Sequence, residues 1–237
     1  MRRTVLSVPS TIAIDGFAAS GKSTVGALLA KTLGYLYFDT GVMYRAVTWA
    51  ALEQKIDPAA AEAVSQLAEA VSIEVTAGGP ADGRQATVWV DGRDVTWEIR
   101  HATVDACVSQ VSSYPRVRTA LTRQQRRIAA AGSIVMAGRD IGTVVLPQAD
   151  LKIFLLASAE ERARRRCQQS LEQNRPANYP EILAAIIKRD ALDRNNPVSP
   201  TKPAPDAIIV DTDNLTIEQV VARLKHLVEV AANGQQN

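Results

Sequence analysis

Thr11-Ile-Ala-Ile-Asp-Gly16-Phe-Ala-Ala-Ser-Gly21-Lys22-Ser23-Thr24 is the stretch that decides the fold. Thr11 to Asp15 is short and apolar and reads as a strand. The residues after it fit the spacing GxxxxGK[ST], and Lys22 to Leu33 reads as a helix closed by Gly34. A glycine-rich loop between a strand and a helix is a cradle for polyphosphate. Gly16 and Gly21 let the backbone turn its N–H groups inward as a nest. The helix N-terminus adds the positive end of its dipole. In this reading Gly16, Phe17, Ala18, Ala19, Ser20, Gly21, Lys22, Ser23 and Thr24 hold ATP. Lys22 reaches the β- and γ-phosphates, Ser23 offers its hydroxyl to Mg2+, and Thr24 donates to the α-phosphate. The competing explanation is a chance glycine-rich turn, and the strand before it and helix after it count against that.

Outward from this loop, short apolar strands alternate with longer helical stretches, the pattern of an α/β fold with a parallel sheet flanked by helices. Tyr35 to Asp39 reads as a strand, followed by a helix to about Leu52 and an alanine-rich helical stretch from Pro58 to Ala70. Residues 71–95 break the rhythm. Ser72 to Thr76 and Ala86 to Val90 alternate apolar and polar residues, and Asp91-Gly92 offers a tight turn into a third short strand. This is a small antiparallel β insertion. Helical patterning resumes near Trp97 and runs to about Ala130, with Pro115 in a first turn. Ser133 to Ala137, Leu151 to Leu156 and Ala207 to Val210 are strands. Helices are expected at Ala159 to Gln173, at Pro180 to Arg194, and from Thr216, where Gln219 completes a capping box. Pro197 to Pro205 reads as a loop and Asn233 to Asn237 as a frayed tail.

Composition narrows the class. The chain has 237 residues, 46% of them hydrophobic, enough for one large domain. Its 27 basic and 25 acidic side chains give a net charge of +2, too even for a nucleic-acid binder. Cys107 and Cys167 form no CxxC pair and no zinc spacing, so two reduced thiols are expected. Pro9 interrupts the short apolar N-terminus, and no run reaches the length of a membrane span. A cytoplasmic location without membrane or nucleic-acid partners follows as the default expectation.

A phosphate loop does not say where the phosphoryl group goes. A nucleotide switch or motor gives it to water, whereas a small-molecule kinase gives it to a second ligand. The guanine-reading NKxD run is absent. A kinase needs a second anion site and a closure that excludes water, and arginine suits both. Arg45 follows the second strand. Arg116 and Arg118 open a helix. Arg139 and Asp140 follow the strand ending at Ala137, where open α/β sheets bind ligands. Arg189 and Asp193 share a helix face. Arg162, Arg164, Arg165 and Arg166 form one dense basic run with Glu160 and Glu161 before it. It reads as an Arg-rich lid over residues 157–179, with a charged helix face as the plain alternative. No aromatic residues are interleaved for base stacking, which counts against nucleic acid.

GFAASGKST, DTGVMYR at Asp39 to Arg45, SYPRVR at Ser113 to Arg118, GRDIGTVV at Gly138 to Val145 and RDALDRN at Arg189 to Asn195 together resemble bacterial-type cytidylate kinases. The resemblance runs from about Thr11 to the last helix. It implies one kinase domain, residues 1–237, with a nucleoside-monophosphate-binding region at 41–130 that includes the β insertion. It also implies Mg2+-assisted transfer from ATP to CMP or dCMP by a monomeric enzyme. Thr40 would contact the acceptor nucleotide, and Arg45 and Arg139 would grip its phosphate. Ser109, Arg118 and Asp140 would read the cytosine, while Arg189 and Asp193 would address phosphate and sugar. Lys22, Arg139, Arg162 and Arg166 would stabilise the transferring group. Two positions depart from the family's pattern: Ala137 replaces an acid and Asn196 an arginine. Asp39 or Asp140 could take over the lost acid's place near the Mg2+ waters. Dephospho-coenzyme A or shikimate as acceptor, and an ATP-binding regulator without transfer, stay open on the residues alone.

Overall fold

The structure is a computed structural model and describes residues 8–172, 175–196 and 198–234. In chain order the elements are β1 (Thr11–Gly16), α1 (Lys22–Leu33), β2 (Leu36–Asp39), α2 (Gly41–Glu53), α3 (Ala61–Ala70), β3 (Ile73–Ala77), β4 (Ala86–Val90), β5 (Arg93–Asp94), α4 (Ala102–Val111), α5 (Pro115–Ala129), β6 (Ile134–Gly138), β7 (Leu151–Leu156), α6 (Ala159–Glu172), α7 (Tyr179–Arg194), β8 (Ile208–Asp211) and α8 (Ile217–Gly234). A 3-10 turn at Glu98–Arg100 and a π-helical turn at Ile141–Val145 complete the order. Five strands form one sheet in the order β2-β6-β1-β7-β8, and β3-β4-β5 form a second. The α/β class with a small antiparallel insertion is therefore as expected.

By compactness the chain divides into two units, one reaching to Tyr35 and resuming at Val135, the other Leu36–Ile134. In the first, β1 pairs in parallel with β7, Ile12 opposite Leu151 and Gly16 opposite Leu155, and β7 pairs in parallel with β8. Interior strands of a parallel sheet are covered on both faces, so they read as continuous apolar runs. Accordingly Ile12, Ile14, Ile134, Val135, Met136 and Ile153 are buried. The start of β1 is fastened by Asp150, whose Oδ2 accepts the N–H groups of Ser10 and Thr11 at 2.9 Å each. Helix α1 ends where Gly34 takes a left-handed conformation (φ 70°) and donates to Ala30 and Lys31 carbonyls. Tyr35 donates back to the Ala30 carbonyl (2.9 Å), so β2 begins one residue later than the sequence suggests.

In the second unit β3 and β4 pair antiparallel, Ile73 opposite Val90 and Ala77 opposite Ala86. Their Gly/Pro/Asp-rich connection is tied down by Arg84, which reaches Asp82 (2.6 Å) and Asp94 (2.5 Å). Trp97 Nε1 donates to the same Asp82 at 2.9 Å. Arg116 joins α5 to α3 through Glu62 (2.7 Å) and Glu69 (2.8 Å). The new helix expected at Pro115 is present as α5, and Tyr114 before it is extended (ψ 122°) because proline bars the preceding residue from helical geometry. The helical stretch expected from Trp97 is also interrupted at His101, which is extended with ψ 148°. The stretch from Pro58 becomes helical only at Ala61, after a turn capped by Asp57 (2.9 Å to the Ala59 N–H). Gln173, Pro197 and residues 235–237, given sequence-based assignments above, lie outside the described residues.

The capping box is present. Thr216 N donates to Gln219 Oε1 at 2.9 Å, and Gln219 N donates to Thr216 Oγ1 at 3.3 Å. Thr216→Ala removes one of the two bonds, and urea denaturation should show a loss of about 1 kcal/mol.

Candidate active site

The first unit carries the phosphate loop between β1 and α1. Gly16 has φ 150°, and a Cβ there would lie 2.5 Å from the Leu155 carbonyl oxygen on β7. Only glycine permits that approach. Gly21, at φ 93°, opens α1 without a side-chain cap, so the first-turn amides of the helix are available to a ligand. The Lys22 ammonium curls back over the loop and donates to the carbonyls of Gly16 (2.7 Å) and Phe17 (2.6 Å) and to Ser20 Oγ (3.3 Å). Lys22 and Ser20 are buried, whereas Ser23 and Thr24, in the first turn of the helix, are exposed.

The arginine run of α6 separates into four environments. Arg162 is 2% exposed and forms a bidentate pair with Asp190 of α7, at 2.9 and 2.6 Å. The same guanidinium donates to the carbonyls of Ala18 (3.2 Å) and Ala157 (3.1 Å) and lies 5.6 Å from the Phe17 ring centre. In this structure Arg162 is packed against the loop, its burial made tolerable by the bidentate Asp190 carboxylate. Arg165 donates to Thr212 Oγ1 at 3.1 Å, and its Nη1 lies 4.0 Å from where a Gly21 Cβ would stand. Glu161 holds both Arg164 and Arg165. Arg166 is exposed and contacts Gln169 at 3.1 Å.

A second group of cations stands in the same unit. Asp193, 13% exposed, bridges Arg139 (2.9 Å to Nε) and Arg189 (3.1 Å to Nε). One carboxylate offsets the mutual repulsion of two guanidinium groups and fixes them side by side. Asp140, next to Arg139, is buried.

In the second unit Arg45 on α2 is held by Asp105 (2.5 Å) and the Ile99 carbonyl (3.2 Å). Arg118 donates to the Ser112 carbonyl (3.2 Å), and its guanidinium carbon is 5.3 Å from the Tyr44 ring centre. Thr40 is buried at the start of α2, and Ser109 lies exposed on α4.

The sequence profile described as cytidylate kinase matches residues 12–230. The chain belongs to the cytidylate kinase family. A cytidylate kinase of Chloroflexus aggregans is 54% identical over 92% of this chain and 93% of its own length. One of Herpetosiphon aurantiacus is 51% identical over 96% and 97%, and one of Roseiflexus castenholzii 51% over 92% of each. Against this cytidylate kinase framework, Asn196 serves its own turn, its Oδ1 accepting the N–H groups of Val198 and Ser199 at 3.0 Å each.

Sequence reasoning passed over two carboxylates. Asp190 lies within RDALDRN but draws no role from the sequence, although its spacing from Ile186 and Asp193 puts all three on one face. Asp15 was read only as the last residue of a strand. It is 4% exposed, and its oxygens accept the N–H groups of Ile141 and Gly142 at 2.8 Å each. Burial pushes its carboxyl up from 3.8 to about 6. The two amides and Lys22 pull it down, and Asp140 pushes it up.

Two outcomes follow. Asp190→Ala strands a buried guanidinium and should cost about 3–5 kcal/mol in urea denaturation, while the double variant Arg162→Met/Asp190→Leu should recover most of it. For Asp15 the raised value means that the folded state binds the proton more tightly than the unfolded state. Its contribution to stability is fully present below pH 3.8 and is lost as pH rises through about 6. Compared with Asp15→Asn in urea melts between about pH 3.5 and 7, wild type should therefore lose relative stability as pH rises.

Proposed function

We propose that this protein transfers the γ-phosphoryl group of ATP to CMP, giving ADP and CDP, with dCMP as a second acceptor. The observation that carries the reading is the pairing of Arg139 and Arg189 by Asp193 in the unit that also holds Lys22 and the phosphate loop. A phosphate loop alone binds nucleotide. Ordered guanidinium groups beside it supply the second anion site that a kinase needs and a switch protein does not. Names carried by relatives at about half identity over nearly the whole chain select CMP among possible acceptors.

The acceptor oxygen of CMP is already anionic, so transfer needs no general base. Catalysis is positioning and neutralisation of charge. The loop amides and Lys22 take the β- and γ-phosphates, with Lys22 exchanging its contacts to Gly16 and Phe17 for phosphate oxygens. Arg139 and Arg189 take the CMP phosphate, and Asp140 accepts from the cytosine amino group. Thr40, Arg45, Ser109 and Arg118, which belong to the second unit, carry the acceptor-binding roles that the family resemblance implies for them. Among the described residues no cluster of three or more His, Cys, Asp or Glu forms a metal site. Mg2+ carried in by ATP keeps water and phosphate ligands and needs few protein groups, and the Ser23 hydroxyl on α1 would be its protein contact. When bound, the ion neutralises charge on the β- and γ-oxygens. Among the described residues no helix is long and apolar enough to cross a membrane. A monomeric cytoplasmic enzyme is what the family resemblance implies and is part of this proposal.

A coupled assay of ADP release should give turnover with CMP and dCMP, less with UMP, and none with AMP, shikimate or dephospho-coenzyme A. ATP binding without acceptor-dependent ADP release would make the chain a regulator instead. Lys22→Ala should lower kcat by about two to four orders of magnitude in a folded protein. Asp140→Ala should narrow the preference for CMP over UMP, because uracil presents an acceptor where cytosine presents a donor.

A further inference from the structure

We propose that Asp15 is a positioning residue: its carboxylate ties the turn that follows Arg139 and Asp140 to the strand that delivers the phosphate loop. The proposal rests on the reading above in which Arg139 and Asp140 bind the acceptor.

Asp15 is the residue before Gly16, at the C-terminal end of β1. It accepts from two consecutive amides of the neighbouring segment, Oδ1 from Ile141 and Oδ2 from Gly142, both at 2.8 Å. Two N–H donors side by side need two acceptor atoms on one rigid group, and only a carboxylate supplies them. An asparagine would satisfy one amide and turn its own NH2 against the other. A glutamate would carry the acceptors one methylene too far into a filled space.

The turn it holds is not regular. Asp140 has φ −143° and ψ 26°, and its carbonyl accepts from both Val144 (2.8 Å) and Val145 (3.1 Å). That wide turn begins at the residue proposed to read the base. It is gripped from a second side by Lys152 of β7. A Cβ on Gly142 would lie 3.2 Å from the Lys152 Cδ and 3.4 Å from the Asp15 Oδ2. Lys152 is itself fastened, to the Pro147 carbonyl (2.6 Å) and to Asp206 (2.7 Å). The turn therefore has little room to move, and Asp15 is the clamp that connects it to the phosphate loop.

The electrostatics argue that this contact is kept for use rather than for stability. Asp15 is buried, and the nearby Asp140 carboxylate repels it, with Lys22 as the compensating cation. An apolar residue at position 15 would avoid the desolvation. Unfavourable buried charge retained beside a substrate site is a mark of function.

The experiment measures steady-state kinetics of Asp15→Asn and Gly142→Ala in the full-length protein, with CMP, UMP and ATP each varied and folding checked by thermal unfolding. Asp15→Asn weakens the grip on the two amides, and Gly142→Ala pushes the turn away from Lys152 and Asp15 by crowding, so the test survives if one of them fails to fold. The expected result is a rise in KM for CMP of about tenfold and a narrowed CMP/UMP preference, with KM for ATP changed less than about threefold. Equal losses for CMP and ATP, or a fall in kcat alone, would overturn the positioning role and leave Asp15 a core residue. Asp140→Ala in the same assays separates the two ideas. If it raises KM for CMP and the Asp15 and Gly142 variants do not, the clamp is wrong. If none of the three does, the acceptor reading of the turn is wrong.

Discussion

Arg162 holds the phosphate loop from below, and the geometry of the loop depends on it. A loop that is to bind phosphate with its amides must dispose of its carbonyls elsewhere, because the C=O and the following N–H of one peptide point in opposite directions. Here the carbonyl of Ala18 accepts from Arg162, and those of Gly16 and Phe17 accept from Lys22, which the proposed reaction turns to phosphate. Arg162 is thus the cation that stays on the carbonyl side of the loop. Arg162 can do this from a buried position only because Asp190 neutralises it through two short hydrogen bonds. Removing either partner leaves a charge that water cannot reach. The pair also joins α6 to α7, the helix that bears Arg189 and Asp193.

The same device recurs with different consequences. Asp193 gathers Arg139 and Arg189 but stays slightly exposed, so its pairs are weaker and can be shared with an incoming anion. Asp15 is fully enclosed and grips backbone amides rather than a cation. Three carboxylates of the first unit therefore do three jobs: one supports the donor loop, one orders two arginines, and one fixes a turn. Their burial grades the strength of each grip, tightest where geometry must not change and loosest where a ligand has to enter.

Much of the fold is legible in the sequence. Glycine spacing marks the phosphate loop, and Gly34, Pro115 and the Thr216/Gln219 pair mark helix ends, because each encodes a local backbone requirement. The fully buried strands are equally plain, since β6 and β7 are apolar on both faces. Legibility fails where position depends on a distant partner. The inward face of α7 carries Asp190 and Asp193 instead of aliphatic residues, so it shows no apolar period to read. Arg162 looks like the other arginines of its run, and only the packing of α6 on α7 separates it from them. Asp15 lies 126 positions from Ile141, and no local pattern announces that contact. The wide turn at Ile141–Val145 is likewise unsignalled by its glycine and aliphatic residues.

These misses share a cause. Local rules report what a segment stabilises by itself, and charged groups buried beside a substrate site do the opposite. Each of them lowers the stability of its own element and is tolerated because the surrounding core is large. Ile12, Ile14, Phe38, Met136 and Ile153 are all essentially inaccessible to water, and each such side chain contributes about 1.5–3 kcal/mol by burial. Two or three such residues offset one enclosed carboxylate. The strand core is therefore a condition of the chemistry as well as of the fold, because its burial energy offsets the cost of enclosing Asp15 next to the phosphate loop.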